Sequence, residues 1–235
     1  TSMPIMFFTL HLRRNNTLSM KKYLIMIACA LSLASCTDYL EPEGEIVYRE
    51  VTIPENITGI EIGSGMLLVL SDDAPAGKAS IRTHANVQPY IRSEMDNDEV
   101  VFTINAQHFK NLDVTITVSP EQFDEFTASG GARITSDKAI TLNRGSFEVS
   151  GGSQATFYGE CATAEIDCSG GSVFHGYDFA VESAEVENSG GSRIELSVMQ
   201  SLTGENSGGS VISYKGSPSI LNVNNSGGSQ TVKEE

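Results

Sequence analysis

The chain is poor in bases. Lys and Arg together number 15 against 30 Asp and Glu, a formal net charge of −15 over 235 residues. Residues 1–35 hold no acid and four of the bases, Arg13, Arg14, Lys21 and Lys22. Without them 11 bases face 30 acids, a net charge of −19 (11 − 30). Nucleic acids and anionic lipid surfaces both demand clustered Lys and Arg, so this balance excludes them as partners. No apolar run is long enough to cross a bilayer as a helix. The chain also lacks a GxxxxGK phosphate loop, an HExxH zinc motif and a GxSxG nucleophile elbow. His84, His108 and His175 are scattered, at none of the spacings of a metal-ligand set, and no His–acid pair is placed to activate a serine. No cofactor, metal or catalytic residue is implied, and the expectation is a non-enzyme.

What is present begins with an address. Met20-Lys21-Lys22 is followed by an almost wholly apolar stretch over 23–33 and then by Leu33-Ala34-Ser35-Cys36. A short apolar run with bases before it and small residues after it reads as a signal peptide over 20–35 rather than a span. The Leu-Ala-Ser-Cys string resembles the lipobox of bacterial lipoproteins, in which the Cys, here Cys36, is lipidated and becomes the mature N-terminus. The plainer reading is an ordinary signal peptide with an incidental Cys. Two or more acyl chains would hold the protein stably on a membrane. Residues 1–19 are expected to be an over-called translation start. Residues 36–45 form an acidic tether, which resembles the export signal of lipoproteins sent to the outer face of the outer membrane or is simply a solvated linker.

The fold is read from a repeat. Ser-Gly-Gly-Ala begins at Ser129, and Ser-Gly-Gly-Ser begins at Ser150, Ser169, Ser189, Ser207 and Ser226, with spacings of 21, 19, 20, 18 and 19. Aligned on the first Ser, the repeats show columns. Five residues after it stand Ile134, Ala155, Phe174, Ile194, Ile212 and Thr231; three before it stand Phe126, Phe147, Ile166, Val186, Gly204 and Val223. Polar residues separate the columns, the period-two pattern of strands with one face buried. One such unit cannot bury its apolar face alone, but stacked on its neighbours it can. The expectation is an all-β, single-stranded parallel β-helix over 121–235, with coils of about 19 residues stacked roughly 4.8 Å apart. The glycine pairs supply the positive φ of a sharp corner. Residues 46–120 read as looser strands at 46–54, 57–62, 66–70, 79–84, 99–104 and 114–118, either early coils of the same solenoid or a cap.

Three sets of side chains stand out against that frame. One residue before the tetrads lie Asn188, Asn206 and Asn225, placed either as an inward amide ladder or as solvent-facing turn residues. Two before them lie Glu148, Asp167, Glu187 and Glu205, with Glu165 and Glu185 forming a second column. This outward wall of carboxylates would attract a divalent cation or a basic partner, or would serve only as a solvated face that resists edge-on aggregation. Cys161 and Cys168 share one repeat and are read as two buried thiols or as a disulfide across a bent coil.

Ile57-Thr58-Gly59-Ile60, Met66-Leu67-Leu68-Val69-Leu70 and Glu99-Val100-Val101-Phe102-Thr103-Ile104 are similar to a bacterial family called putative auto-transporter adhesin, head GIN domain. So is Val114-Thr115-Ile116-Thr117-Val118-Ser119-Pro120 leading into Phe126-Thr127-Ala128-Ser129-Gly130-Gly131. The resemblance covers about residue 47 to the C-terminus. Many members carry Ser-Gly-Ser-Gly at the corner where this chain has Ser-Gly-Gly-Ser. The resemblance implies a secreted or lipid-anchored, right-handed parallel β-helix and supplies no catalytic residues. The functional expectation is a lipid-anchored outer-membrane protein exposed at the cell surface, an adhesin or scaffold that binds a glycan or protein. The alternatives are a polysaccharide lyase or hydrolase on a β-helix, and an envelope assembly or sensing partner. Oligomeric state is not specified by the sequence.

Overall fold

The computed structural model describes residues 39–106 and 108–235. Cys36, the signal peptide over 20–35, the extension over 1–19 and the start of the tether lie outside the described residues. Residues 40–235 form one compact unit.

The strands are β1 (Ile46–Thr52), β2 (Gly59–Ile62), β3 (Leu67–Leu70), β4 (Lys78–His84), β5 (Ile91–Asp96), β6 (Glu99–Ile104), β7 (Val114–Val118), β8 (Glu125–Ala128) and β9 (Arg133–Ser136). They continue as β10 (Ile140–Val149), β11 (Gln154–Thr156), β12 (Gly159–Cys168), β13 (Val173–Asn188), β14 (Arg193–Asn206), β15 (Val211–Lys215), β16 (Ile220–Asn225) and β17 (Gln230–Lys233). From β8 onward every pairing is parallel, each coil lying on the one before it. The chain is a β-solenoid of about five turns with about 20 residues per turn, all-β with stacked parallel strands.

Each coil has three sides. After the tetrad corner comes a first side (β9, β11, the start of β13 and β14, β15 and β17). Buried positions then step by two along each strand until they slip by one, as between Cys161 and Ala164 and between Val181 and Ala184. Register breaks at the same places, beside Asn143, Ala162 and Glu182. Such a slip bends a strand, separating a short second side (140–142, 159–161, 179–181) from a third side that runs to the next tetrad.

The interior is dry and lined by the columns read from the sequence. Ile134, Ala155, Phe174, Ile194 and Ile212 are buried, as are Phe126, Phe147, Ile166 and Val186. Phe126, Phe147, Phe157, Phe174 and Phe179 form one aromatic cluster with centroid separations of 4.7–5.8 Å. Each such ring contributes roughly 1.5–3 kcal/mol by leaving water.

The N-terminal region supplies both coils and a cap. The coil β2–β3 pairs in parallel with β8–β9 on one side and with β6–β7 on the other. Chain order and stacking order therefore differ, because the later coil β6–β7 lies outside the earlier one. To reach β8 the chain crosses β2–β3 through the short helix Pro120–Gln122. There the Gln122 side-chain amide donates to the carbonyls of Pro54 (2.6 Å) and Ile57 (2.8 Å). Beyond β6–β7 the pairing turns antiparallel: β5 on β6, β4 on β7 and β1 on β4. An outer layer rich in charge and exposed side chains protects the edge of the stack. Strand β5 has no counterpart in the sequence reading. Only Ile91 of its six residues is buried, so it carries almost no apolar signal, and it is held as a hairpin by Asn97 at φ 55.

The corners repeat closely. Both glycines of every tetrad have positive φ, from 59 to 66 at the first and 76 to 82 at the second. The first also sits against the corner below: a Cβ on Gly190 would lie 3.0 Å from the Gly170 nitrogen, whereas one on Gly191 would meet nothing within 4 Å. The two positions therefore separate backbone strain from crowding. Gly191→Ala is expected to lower unfolding free energy by about 1–2 kcal/mol through the left-handed backbone alone. Gly190→Ala should cost a further ~1–3 kcal/mol, because a backbone atom of the next corner must give way. Equal losses in urea melts of the two variants would show that the corners do not stack.

A candidate partner-binding surface

The outward residues of the third side form in-register columns. Glu61, Thr127, Glu148, Asp167, Glu187, Glu205 and Asn224 are successive neighbours across paired strands. Beside them run Glu99, Gly59, Glu125, Ser146, Glu165, Glu185, Thr203 and Asn222. Glu148, Asp167, Glu187, Glu205, Glu165 and Glu185 are all exposed. The acidic side is longer than the tetrads alone reveal, since Glu61, Glu99 and Glu125 extend it into the N-terminal coils. Glu61 had a signal: it stands two residues before Gly63-Ser64-Gly65-Met66, a corner in which Ser64 and Gly65 adopt the same positive φ as the glycine pairs.

Neighbouring carboxylates about 4.8 Å apart repel by about 1 kcal/mol even in a water-like dielectric. Partial burial, then Glu148 and Glu165, push the Asp167 carboxyl up. Burial, then Glu61, Glu125, Asp98 and Glu148, do the same to Glu99. Arg144 at the edge of this side reaches Glu165 at 3.8 Å, with both side chains largely in water. The carboxylates stand in parallel columns, with open depressions beside Glu165 and Glu185 and between Glu187 and Glu205. Among the described residues no three of His, Cys, Asp and Glu converge as a metal-binding group.

The inward neighbours of this side are polar in the last coils. Asn188 Nδ2 donates to Asn206 Oδ1 (3.1 Å) and to the Val211 carbonyl (3.1 Å). Asn206 Nδ2 donates to Asn225 Oδ1 (2.9 Å) and to the Gln230 carbonyl (2.9 Å). Asn188 and Asn206 are buried and Asn225 is exposed. A second ladder gives no signal in the sequence, since a Ser that closes a glycine corner reads as an ordinary turn residue. It is built from the fourth residue of each tetrad: Ser172, Ser192 and Ser210 are buried, and Ser192 Oγ accepts from the Gly171 amide while Ser210 Oγ accepts from the Gly191 and Ser192 amides. Both ladders satisfy most of the polar groups they bury, whose burial alone would cost kilocalories, but Asn188 Oδ1 at the head of the amide ladder and Ser153 Oγ in the serine column are buried without a partner. They support the surface rather than form it.

The first side has a different character. Its outward columns bring together Arg133, Gln154, Val173, Arg193 and Val211; then Thr135, Thr156, His175, Glu195 and Ser213. His175 Nδ1 lies 2.8 Å from Glu195 Oε2. Eight residues after successive tetrad serines come Tyr158 and Tyr177, and Lys215 Nζ sits 4.9 Å from the centroid of the Tyr177 ring. His84 is elsewhere, 3.5 Å from Asp113 near the cap, and His108 lies on the surface beside the bridge between Leu40 and Phe109.

The family model for the putative auto-transporter adhesin, head GIN domain, matches residues 56–218. The chain belongs to this family. No curated protein matches the chain. The head GIN chain is similar in fold to the crystal structure of a putative adhesin from Bacteroides fragilis, at 17% identity and a TM-score of 0.65, covering 83% of this chain and 99% of that one. A putative adhesin from Parabacteroides merdae is 12% identical over 85% of this chain and all of its own, with a TM-score of 0.48. A putative lipid binding protein from Parabacteroides distasonis is 16% identical over 84% of this chain and all of its own, also with a TM-score of 0.48.

The two cysteines among the described residues, Cys161 and Cys168, are free and buried. Cys161 pairs in register with Leu142 and Val181, and Cys168 with Val149 and Asn188, so they occupy different sides of the coil. Burial pushes the Cys168 thiol up to about 12 and raises that of Cys161. The thiolate is the reactive form, so neither should be alkylated by iodoacetamide at pH 8 until the fold is melted; rapid labelling of native protein would contradict this packing.

The acidic side makes a pH prediction. Raised carboxyl values in the fold mean that protons bind the folded chain more tightly than the unfolded one. The resulting penalty is present at pH 7, is relieved as pH falls through the folded value, and vanishes below the ordinary value of 3.8 for Asp167. Asp167→Asn should therefore raise Tm at pH 7 and leave it unchanged near pH 3.5. A Tm lowered at pH 7 would mean that the carboxylate holds a partner within the fold.

Proposed function

We propose that this chain is a non-catalytic cell-envelope adhesin or scaffold, lipid-anchored through Cys36 at the outer membrane, that holds a glycan or protein against a flat side of its solenoid. The observation that carries the reading is the sorting of outward side chains by side. The third side presents Glu148, Glu165, Asp167, Glu185, Glu187 and Glu205 in paired columns, while the first side gathers Arg133, Arg193, Lys215, His175 and two tyrosines. Rigid stacked strands hold these columns in place before any partner arrives, which lowers the ordering cost of binding. The family description adds support, since it names an adhesin.

The acidic side enters this reading as a surface for basic groups or, weakly, for divalent cations bridging adjacent carboxylates. The arrangement supports binding over turnover. A glycosidase needs two carboxyl groups flanking a bond in a cleft, whereas these carboxylates stand side by side in columns, with Glu185, Glu187 and Glu205 around an open depression.

Protease treatment of intact cells, with and without Cys36→Ala, tests the proposal. The wild type should sediment with membranes and be cleaved by external protease, and the variant should leave the membrane fraction. Protection of the wild type in intact cells would overturn surface adhesion in favour of a periplasmic assembly or sensing role. Turnover of an acidic polysaccharide, lost on replacing one Asp or Glu, would overturn the non-catalytic reading.

A further inference from the structure

The first side carries a depression that the repeat pattern does not require. It encloses about 290 Å³ between β11, β13 and β14 and is lined by Thr156, Tyr158, His175, Tyr177, Asp178 and Glu195 among others. Neither Tyr158 nor Tyr177 belongs to the interior: Tyr158 is 40% exposed, although the neighbouring Phe157 and Phe179 are buried. Both occupy the same position of successive repeats, so their rings emerge from adjacent coils at one corner. The exposed Tyr158 ring beside the half-buried Tyr177 gains nothing for stability that a polar residue would not supply, as Asp137, Ser197 and Lys215 do at the same position of the other coils.

The polar groups around the rings are held in place. Tyr177 is braced by Lys215 Nζ at 4.9 Å from its centroid and at its backbone carbonyl by the Ser197 hydroxyl at 2.6 Å. His175 is fixed by Glu195 at 2.8 Å. Asp178, one residue beyond Tyr177, is exposed at the mouth. A shallow cavity with an aromatic platform, a second ring as its wall and a few oriented polar groups suits a ligand that is apolar on one face and rich in hydroxyls at its edge. A pyranose ring has that character. Its C–H face would cover the Tyr158 ring, and its edge hydroxyls would donate to the Asp178 carboxylate, a charge-assisted bond.

Resting on the adhesin reading above, we infer that the Tyr158–Tyr177 depression is a subsite for one neutral sugar residue of a glycan chain. Asp178 at the mouth, paired with no base among the described residues, selects against uronates and other anionic sugars, whereas Glu195 is taken up by His175. The successive coils on either side offer a flat path along which the glycan continues.

The test uses the full chain, with glycan-array and titration measurements on mannan, dextran and galactan oligosaccharides and on oligogalacturonate. At least one neutral oligosaccharide should bind, and oligogalacturonate should bind at least ten-fold more weakly. Tyr158→Ala and Asp178→Asn should each weaken binding by ten-fold or more with Tm unchanged, while Glu187→Gln on the opposite, acidic side should leave it unaltered. Should Tyr158→Ala shift Tm, Asp178→Asn decides alone. Glycan binding that survives both variants would overturn this subsite and leave the adhesin reading standing. Stronger binding of oligogalacturonate would overturn the neutral-sugar assignment. No glycan bound, with an envelope protein captured instead, would overturn the subsite but keep adhesion to a protein; neither bound would overturn both.

Discussion

Everything in this molecule depends on one contact repeated from coil to coil, the backbone hydrogen bond that seats each tetrad corner on the corner before it. The amides of Ser150, Ser169, Ser189, Ser207 and Ser226 donate to the carbonyls of Ala128, Val149, Cys168, Asn188 and Asn206, at 2.8–3.0 Å. A corner this tight forces left-handed backbone at two positions, which glycine adopts without strain. Once the corners are superimposed, the strands between them fall into parallel register, and inward residues of successive coils meet as columns. Each coil buries its apolar face only because the next coil covers it, so stability is collective rather than local.

The tetrad half of the molecule was legible because its period, its alternation and its corner chemistry all point to the same arrangement. The columns of Ile134, Phe147 and Ile166 could be placed inward from spacing alone. The N-terminal half was less legible for a physical reason. Parallel stacking requires neighbours in space, not neighbours in sequence, and β6–β7 settles outside β2–β3 where no period in the sequence can show it. The antiparallel cap is dictated by the need to close an edge, a requirement met by many sequences. Thus β5, with its run of Arg92, Ser93, Glu94, Met95 and Asp96, gave no strand signal. The candidate surface divides in the same way. The acidic column lay at fixed offsets from the tetrads, whereas the Tyr158–His175–Glu195 cluster joins residues of three coils and becomes visible only when the coils are stacked.

Sorting of charge by side follows from the same geometry. Because register is kept, a residue type chosen at one repeat position is multiplied into a stripe, and a stripe of carboxylates carries a repulsion that single surface acids do not. The buried columns behind it, among them the amide ladder of Asn188 and Asn206, tie successive coils together against that repulsion. The head GIN chain thereby presents differently charged sides on one stack of coils.

The stacking itself can be observed bond by bond. Scalar couplings across hydrogen bonds, measured by NMR from each tetrad Ser amide nitrogen to its acceptor carbonyl carbon, should link Ser169 to Val149, Ser189 to Cys168 and Ser207 to Asn188, pairs about one coil apart in sequence. Couplings from these amides to residues within their own repeat, or to strands running the opposite way, would contradict the account.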